Sequence, residues 1–111
     1  MKSLEYNGNS YIVNFSYQSK TVTYKKKPVA VETTTCEILS GPIGTKRQDM
    51  SVLSKCSVTQ HPGDTPNRVV ARTISLIGAM KGFPRELRAA IPTAMKIRMH
   101  LSKTETVSCQ D

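Results

Sequence analysis

The chain has 111 residues, enough for one domain with a modest core and too few for two. It is 38% hydrophobic without a tryptophan, and sixteen Lys and Arg against eight Asp and Glu give a net charge of +8. That balance argues against an acidic mimic of nucleic acid and for an anionic partner, the low apolar share points to a homo-oligomer, and no run approaches the roughly 20 apolar residues of a membrane span.

Residues Met1 to Tyr17 contain no apolar stretch of signal-peptide length. The cysteines, Cys36, Cys56 and Cys109, are odd in number and widely spaced, which suits reduced thiols in a cytosolic setting rather than a disulfide framework. Tyr11, Val13, Phe15 and Tyr17 alternate with Ile12, Asn14 and Ser16, the period-two pattern of a strand. Gln18 to Lys20 reads as a short polar break. Thr21 to Lys25 resumes the alternation, so the two runs predict a β-hairpin. Val29 to Leu39 is a third strand, rich in Val and Thr. Ser40 to Asp49, with Gly41, Pro42 and Gly44, is a loop. Met50 to Gln60 is a fourth strand, with Val52, Cys56 and Val58 expected on one face and Lys55, Ser57 and Thr59 on the other.

The period then changes. His61 to Thr65 forms a turn, Asp64 or Thr65 suits an N-cap, and Pro66 suits the first helical position. Pro66 to Lys81 is expected to be helical, with Val69, Val70, Thr73, Ile74, Leu76, Ile77 and Met80 as its apolar stripe and Gly82 as its terminator. A second helix starts at Pro84 and carries Leu87, Ala90, Ile91, Ala94 and Ile97 at helical spacing. Pro92 interrupts it, so the helix is expected to kink or split there. The expectation is an α+β domain over residues 1–101, an antiparallel sheet of about four strands followed by two helices on its apolar face, with a frayed polar tail over 102–111.

The cations of the helical half are the main chemical signal. Arg68 and Arg72 are four apart on one helix face, and Arg68 falls in a first turn, where the helix dipole favours an anion. Arg85 and Arg88 begin the second helix, and Lys96 continues their stripe if that helix stays straight. Arg98 and Lys81 flank the group. Arginine forks grip phosphate bidentately and stack on bases, so the pattern suggests a phosphate-binding groove between the two helix starts. A solvated helical face is the plainer alternative.

Four further features carry a plain and a functional reading. His61 and Asp64 suit contacts to a base or ribose, although turn chemistry and a cap are the favoured explanation. Phe83, between the helices, serves either as a stacking platform for a base or as a staple against the core, and the staple is favoured. Lys25 to Lys27 suits a nucleic-acid backbone or a solvated hairpin end. The tyrosines Tyr6, Tyr11, Tyr17 and Tyr24 read as core or interface. No C-x-x-C or H-x-x-x-H spacing, phosphate-loop pattern or carboxylate pair is present, and a strand-borne Cys56 near His61 reads as structural. No cofactor, no metal and no catalysis are expected.

The stretch from His61 to Met99 resembles a pattern found in small phage proteins. Its elements are Cys56-Ser57-Val58-Thr59, His61-Pro62-Gly63-Asp64, Arg72 within an apolar helix, and Pro84-Arg85-Glu86-Leu87-Arg88. Four strands followed by two helices are also similar to the first type of Thoeris anti-defence protein. That family consists of oligomeric sponges that sequester cyclic ADP-ribose isomers and, in some members, other cyclic nucleotides. The resemblance implies that Arg72, Arg85 and Arg88 hold the phosphates of a cyclic nucleotide while His61, Asp64 and Asn67 line its base or ribose. It also implies a place in the cytoplasm of an infected bacterial host. A second reading is an anti-CRISPR-like inhibitor that docks on a CRISPR effector or on nucleic acid through the basic helical face. A third is a virion assembly component.

Overall fold

The computed structural model describes residues 3–62 and 68–97. It is an α+β fold in which a four-stranded antiparallel sheet precedes two helices. The strands are β1 (Leu4–Tyr6), β2 (Asn9–Tyr24), β3 (Lys27–Pro42) and β4 (Ser51–Thr59), and they lie side by side in chain order. The helices are α1 (Arg68–Ala79) and α2 (Arg85–Ala94). Asp64 and Asn67, together with Gly63, Thr65, Pro66, Arg98 and the tail 102–111, lie outside the described residues.

The hairpins differ from the sequence expectation. Gln18 to Lys20 is not a turn: β2 runs through it, and register is unbroken from Asn9 opposite Pro42 to Tyr24 opposite Lys27. The β2–β3 turn is Lys25-Lys26, both with positive φ, at 51° and 65°. The first hairpin is made by Asn7-Gly8, at φ 49° and 80°. Asn-Gly is the preferred pair for a tight turn of this handedness.

Alternation sorts the sheet into two faces. Tyr11, Val13, Phe15, Cys36, Ile38, Cys56 and Val58 share one face, and α1 and α2 cover it with Leu76, Ala79, Met80, Leu87, Ile91 and Met95. Cys36 and Cys56 are direct cross-strand partners, both thiols and both fully buried. Burial, then the neighbouring Cys56 and the charge of Glu37, pushes the Cys36 thiol up to about 12. On the opposite face, cross-strand hydroxyls pair: Thr33 with Thr59 and Thr35 with Ser57, each at 2.9 Å.

Val52 does not join Cys56 and Val58. Ile38 pairs with Ser54 but Leu39 pairs with Val52, so Leu53 is an extra residue that breaks the alternation. The bulge turns Val52 to the opposite face, and Val52 and Leu53 are both more than half exposed, at 52% and 53%.

Helix α1 docks by an apolar stripe centred on Leu76, which is fully buried. The buried hydroxyls of Thr73 and Ser75 donate back to the carbonyls of Val69 and Arg72, which gives each a partner within its own helix. The Ser54 hydroxyl donates to the Ala79 carbonyl, fastening the C-terminal turn of α1 to β4. Helix α2 does not split at Pro92. It runs through that residue and stops at Ala94. The Ile97 amide then donates to the Pro92 carbonyl and the Lys96 amide to the Thr93 carbonyl. This pair of bonds is a Schellman motif, with Lys96 in the left-handed position at φ 54°. Glycine normally sits there, because a side chain costs about 1–2 kcal/mol in that conformation.

Candidate functional site

Two of the candidate cations, Arg72 and Lys96, meet at one place, and it is not between the helix starts. A half-open hollow of about 450 Å³ is lined by Phe15 and Tyr17 of β2, Val69 and Arg72 of α1, and Lys96 and Ile97 just past α2. The early turns of α1 and the end of α2 form its walls, and β2 supplies its aromatic floor. Its size falls within the range of small-ligand sites, roughly 300–1,000 Å³.

Each lining cation is there for a local reason. Arg72 projects from the second turn of α1, and its Nε donates to the Tyr17 hydroxyl. Its guanidinium carbon lies 5.6 Å from the centroid of the Tyr17 ring. Lys96 reaches the hollow because the Schellman turn reverses the chain after Ala94. It therefore does not continue the Arg85–Arg88 stripe, as a straight helix would require. Replacing Lys96 with glycine is expected to raise stability by about 0.5–1 kcal/mol by relieving the left-handed backbone. Urea denaturation checks it, and the same variant removes one cation from the hollow.

Arg68 takes a different role from the one its sequence position suggests. Its Nε and Nη2 donate to the two carboxylate oxygens of Glu32, each at 2.9 Å. Its guanidinium carbon lies 4.2 Å from the Tyr17 ring centroid, a cation–π arrangement. The fork is thus engaged by a carboxylate rather than open to a ligand, and Arg68, like Arg72, contacts the Tyr17 ring. Arg68 and Glu32 also line a second hollow of about 420 Å³ with Ser19, Ala30, Val31 and Gln60.

The Arg68 hydrogen bond holds the Glu32 carboxyl below its ordinary value of 4.5, against an opposing effect of desolvation, and the Arg68 charge adds to the lowering. A carboxyl lowered in the folded state stabilises the fold above its unfolded pKa and loses that contribution as pH falls through the lowered value. Melting temperature is therefore expected to drop below pH 4.5. Glu32→Gln should flatten that part of the profile, which thermal melts between pH 6 and pH 3 would show.

The remaining candidates lie elsewhere. Arg85 and Arg88 are exposed at the start of α2. That helix has 10 residues, which places its start roughly 15 Å from the end that meets the hollow. Phe83 packs against the core, its ring centroid 6.4 Å from that of Tyr11, so it acts as the staple rather than as an open platform. His61 is exposed beyond β4 and meets the Tyr24 ring edge-on, with centroids 5.6 Å apart at 80°. Tyr17 is one of the tyrosines that sequence reasoning assigned to core or interface, and Phe15 was not singled out. The signal for Tyr17 was present, because a tyrosine on the helix-covered face needs a polar partner for its hydroxyl, and an arginine of α1 supplies it.

Among the described residues no group of three or more His, Cys, Asp or Glu side chains is arranged to hold a metal ion. No described helix is long and apolar enough to cross a membrane. Comparison of this chain with protein-family models, with curated proteins and with solved structures gives no match.

Proposed function

We propose that this protein binds a phosphate-bearing nucleotide in the hollow formed by Tyr17, Arg72 and Lys96, and that it sequesters the ligand without converting it. One observation carries the reading: two cations from different parts of the chain, Arg72 and Lys96, line one hollow together with two aromatic residues, Phe15 and Tyr17. Arg72 offers a planar fork for phosphate oxygens, and Lys96 offers a point charge. Phe15 offers ring surface to a base, while the Tyr17 ring, engaged by the Arg68 and Arg72 guanidiniums, holds Arg72 in place. A left-handed lysine where glycine is favoured agrees with this, since strain retained beside a binding site is often tied to what the residue does there.

On this reading the protein acts as the anti-defence sponges do that its sequence resembles, removing a cyclic-nucleotide signal from the host cytoplasm. A half-open hollow exposes part of its occupant, and a second copy of the chain would close it. The test is thermal melting against cyclic dinucleotides, cyclic trinucleotides and cyclic ADP-ribose isomers. Ligand at 100 times its dissociation constant adds about 2.7 kcal/mol, a shift of several degrees. No shift with any of them, at millimolar ligand, would end the proposal.

A further inference from the structure

A second cationic feature lies outside the hollow. The last pair between β3 and β4 is Thr33 with Thr59. Beyond it β2 and β3 continue as a two-stranded ribbon, and no third described strand pairs with them there. From Ser19 to Tyr24 the ribbon extends roughly 17 Å at about 3.4 Å per residue. Between positions 20 and 31 it carries Lys20, Lys25, Lys26 and Lys27 and no acidic residue. All four lysines are exposed.

The tip makes this more than a solvated hairpin end. Lys25 and Lys26 both take positive φ, as a tight turn of this hand demands. The same chain makes its other such turn with Asn7-Gly8, the pair that adopts it with least strain. Two adjacent lysines at the second tip are disfavoured twice, by backbone sterics and by mutual repulsion. A polyanionic partner removes the repulsion. The Lys25 ammonium also lies 5.4 Å from the Tyr24 ring centroid, and the His61 ring meets that ring at 80°, so the base of the tip is braced.

By register, Lys20 and Lys27 share one ribbon face with Val22, Tyr24 and Val29, while Thr21, Thr23, Pro28 and Ala30 form a face of small side chains. A two-stranded ribbon fits the major groove of duplex DNA, about 12 Å wide. We propose that the β2–β3 ribbon is a binding arm for duplex nucleic acid, with Lys20, Lys25, Lys26 and Lys27 on phosphates and the tip entering the groove. Phosphate contacts position a protein without reading bases, so the arm binds with little sequence preference. This inference does not rest on the nucleotide hollow.

The test is fluorescence anisotropy of a labelled 20-base-pair duplex titrated with the full chain at several salt concentrations. It compares wild type with the double variant Lys25→Asn, Lys26→Gly. That variant keeps the turn with its preferred residues, so its melting temperature should not fall. Its duplex affinity is expected to drop roughly tenfold or more, and its log–log salt slope to flatten by about 1.8, or 0.9 for each lost phosphate contact. Any nucleotide-induced melting shift should persist in it, so failure of the arm and failure of the hollow read out separately. Equal affinity and slope in the two proteins would overturn the proposal, as would no duplex binding by wild type. Displacement of the duplex by an equal charge concentration of polyglutamate would assign the arm to an acidic protein surface instead.

Discussion

Replacing Leu76 with alanine is expected to destabilise the fold by about 2–5 kcal/mol. Leu76 is fully exchanged from water and belongs to the cluster that joins Tyr11, Cys36, Ile38 and Cys56 of the sheet to Leu87 and Ile91 of α2. The cluster draws on β2, β3, β4, α1 and α2, so its members cannot collapse into the cavity without breaking contacts with one another. The loss would be a large share of the total for a domain whose stability is of order 5–15 kcal/mol. Urea denaturation should show a lower midpoint with an unchanged slope. Ile77→Ala, at a half-buried neighbour on the same helix, should cost clearly less. Equal costs would mean that α1 does not dock by the Leu76 face.

Replacing Arg72 with alanine is expected to weaken nucleotide binding by about 1.5–3 kcal/mol, or roughly ten- to more than a hundredfold, the usual worth of a charge-assisted hydrogen bond. The fold should tolerate the change, because the Tyr17 hydroxyl that loses its partner is only part-buried and water can replace the guanidinium. Arg72→Lys should recover part of the affinity, since it restores charge but not the fork. Tyr17→Phe separates two roles: it keeps the ring as a floor and releases the Arg72 Nε. Calorimetric titration with the nucleotide that gives the largest melting shift is the measurement. Unchanged affinity in Arg72→Ala would remove the hollow from the binding site.

The order of elements was legible because its signals are local. The Thr and Val content of β3 and the prolines and glycine framing α1 and α2 each act within a few residues. What was not legible depends on position in the sheet. Gln18 to Lys20 looks like a break, but it lies on a ribbon where polar side chains remain wet and extended backbone is not penalised. The turn fell to Lys25-Lys26, residues with no turn preference, while the clear signal of Asn7-Gly8 marked a hairpin that the sequence reading began beyond. The bulge at Leu53 reverses the faces of β4, and alternation alone cannot place an extra residue. For the candidate site, Arg72 and Lys96 stood out as cations, yet their meeting depends on where α2 stops. That stop is set by the Schellman turn after Pro92, so the arginines at the other end of α2 stay apart from the hollow.

The bulge also bears on how copies of the chain can associate. Every sheet that is not closed into a barrel ends in two strands whose outer amides and carbonyls can recruit a foreign strand, the first step toward fibres. Here one outer strand, β1, has only three residues. The other, β4, is interrupted by Leu53 and carries Lys55 in its middle. The exposed Val52 and Leu53 thus lie where the backbone cannot offer an even ladder. Among the described residues, lateral growth of the sheet is obstructed on both flanks, so edge-to-edge pairing of strands is disfavoured as a route by which copies of this chain meet.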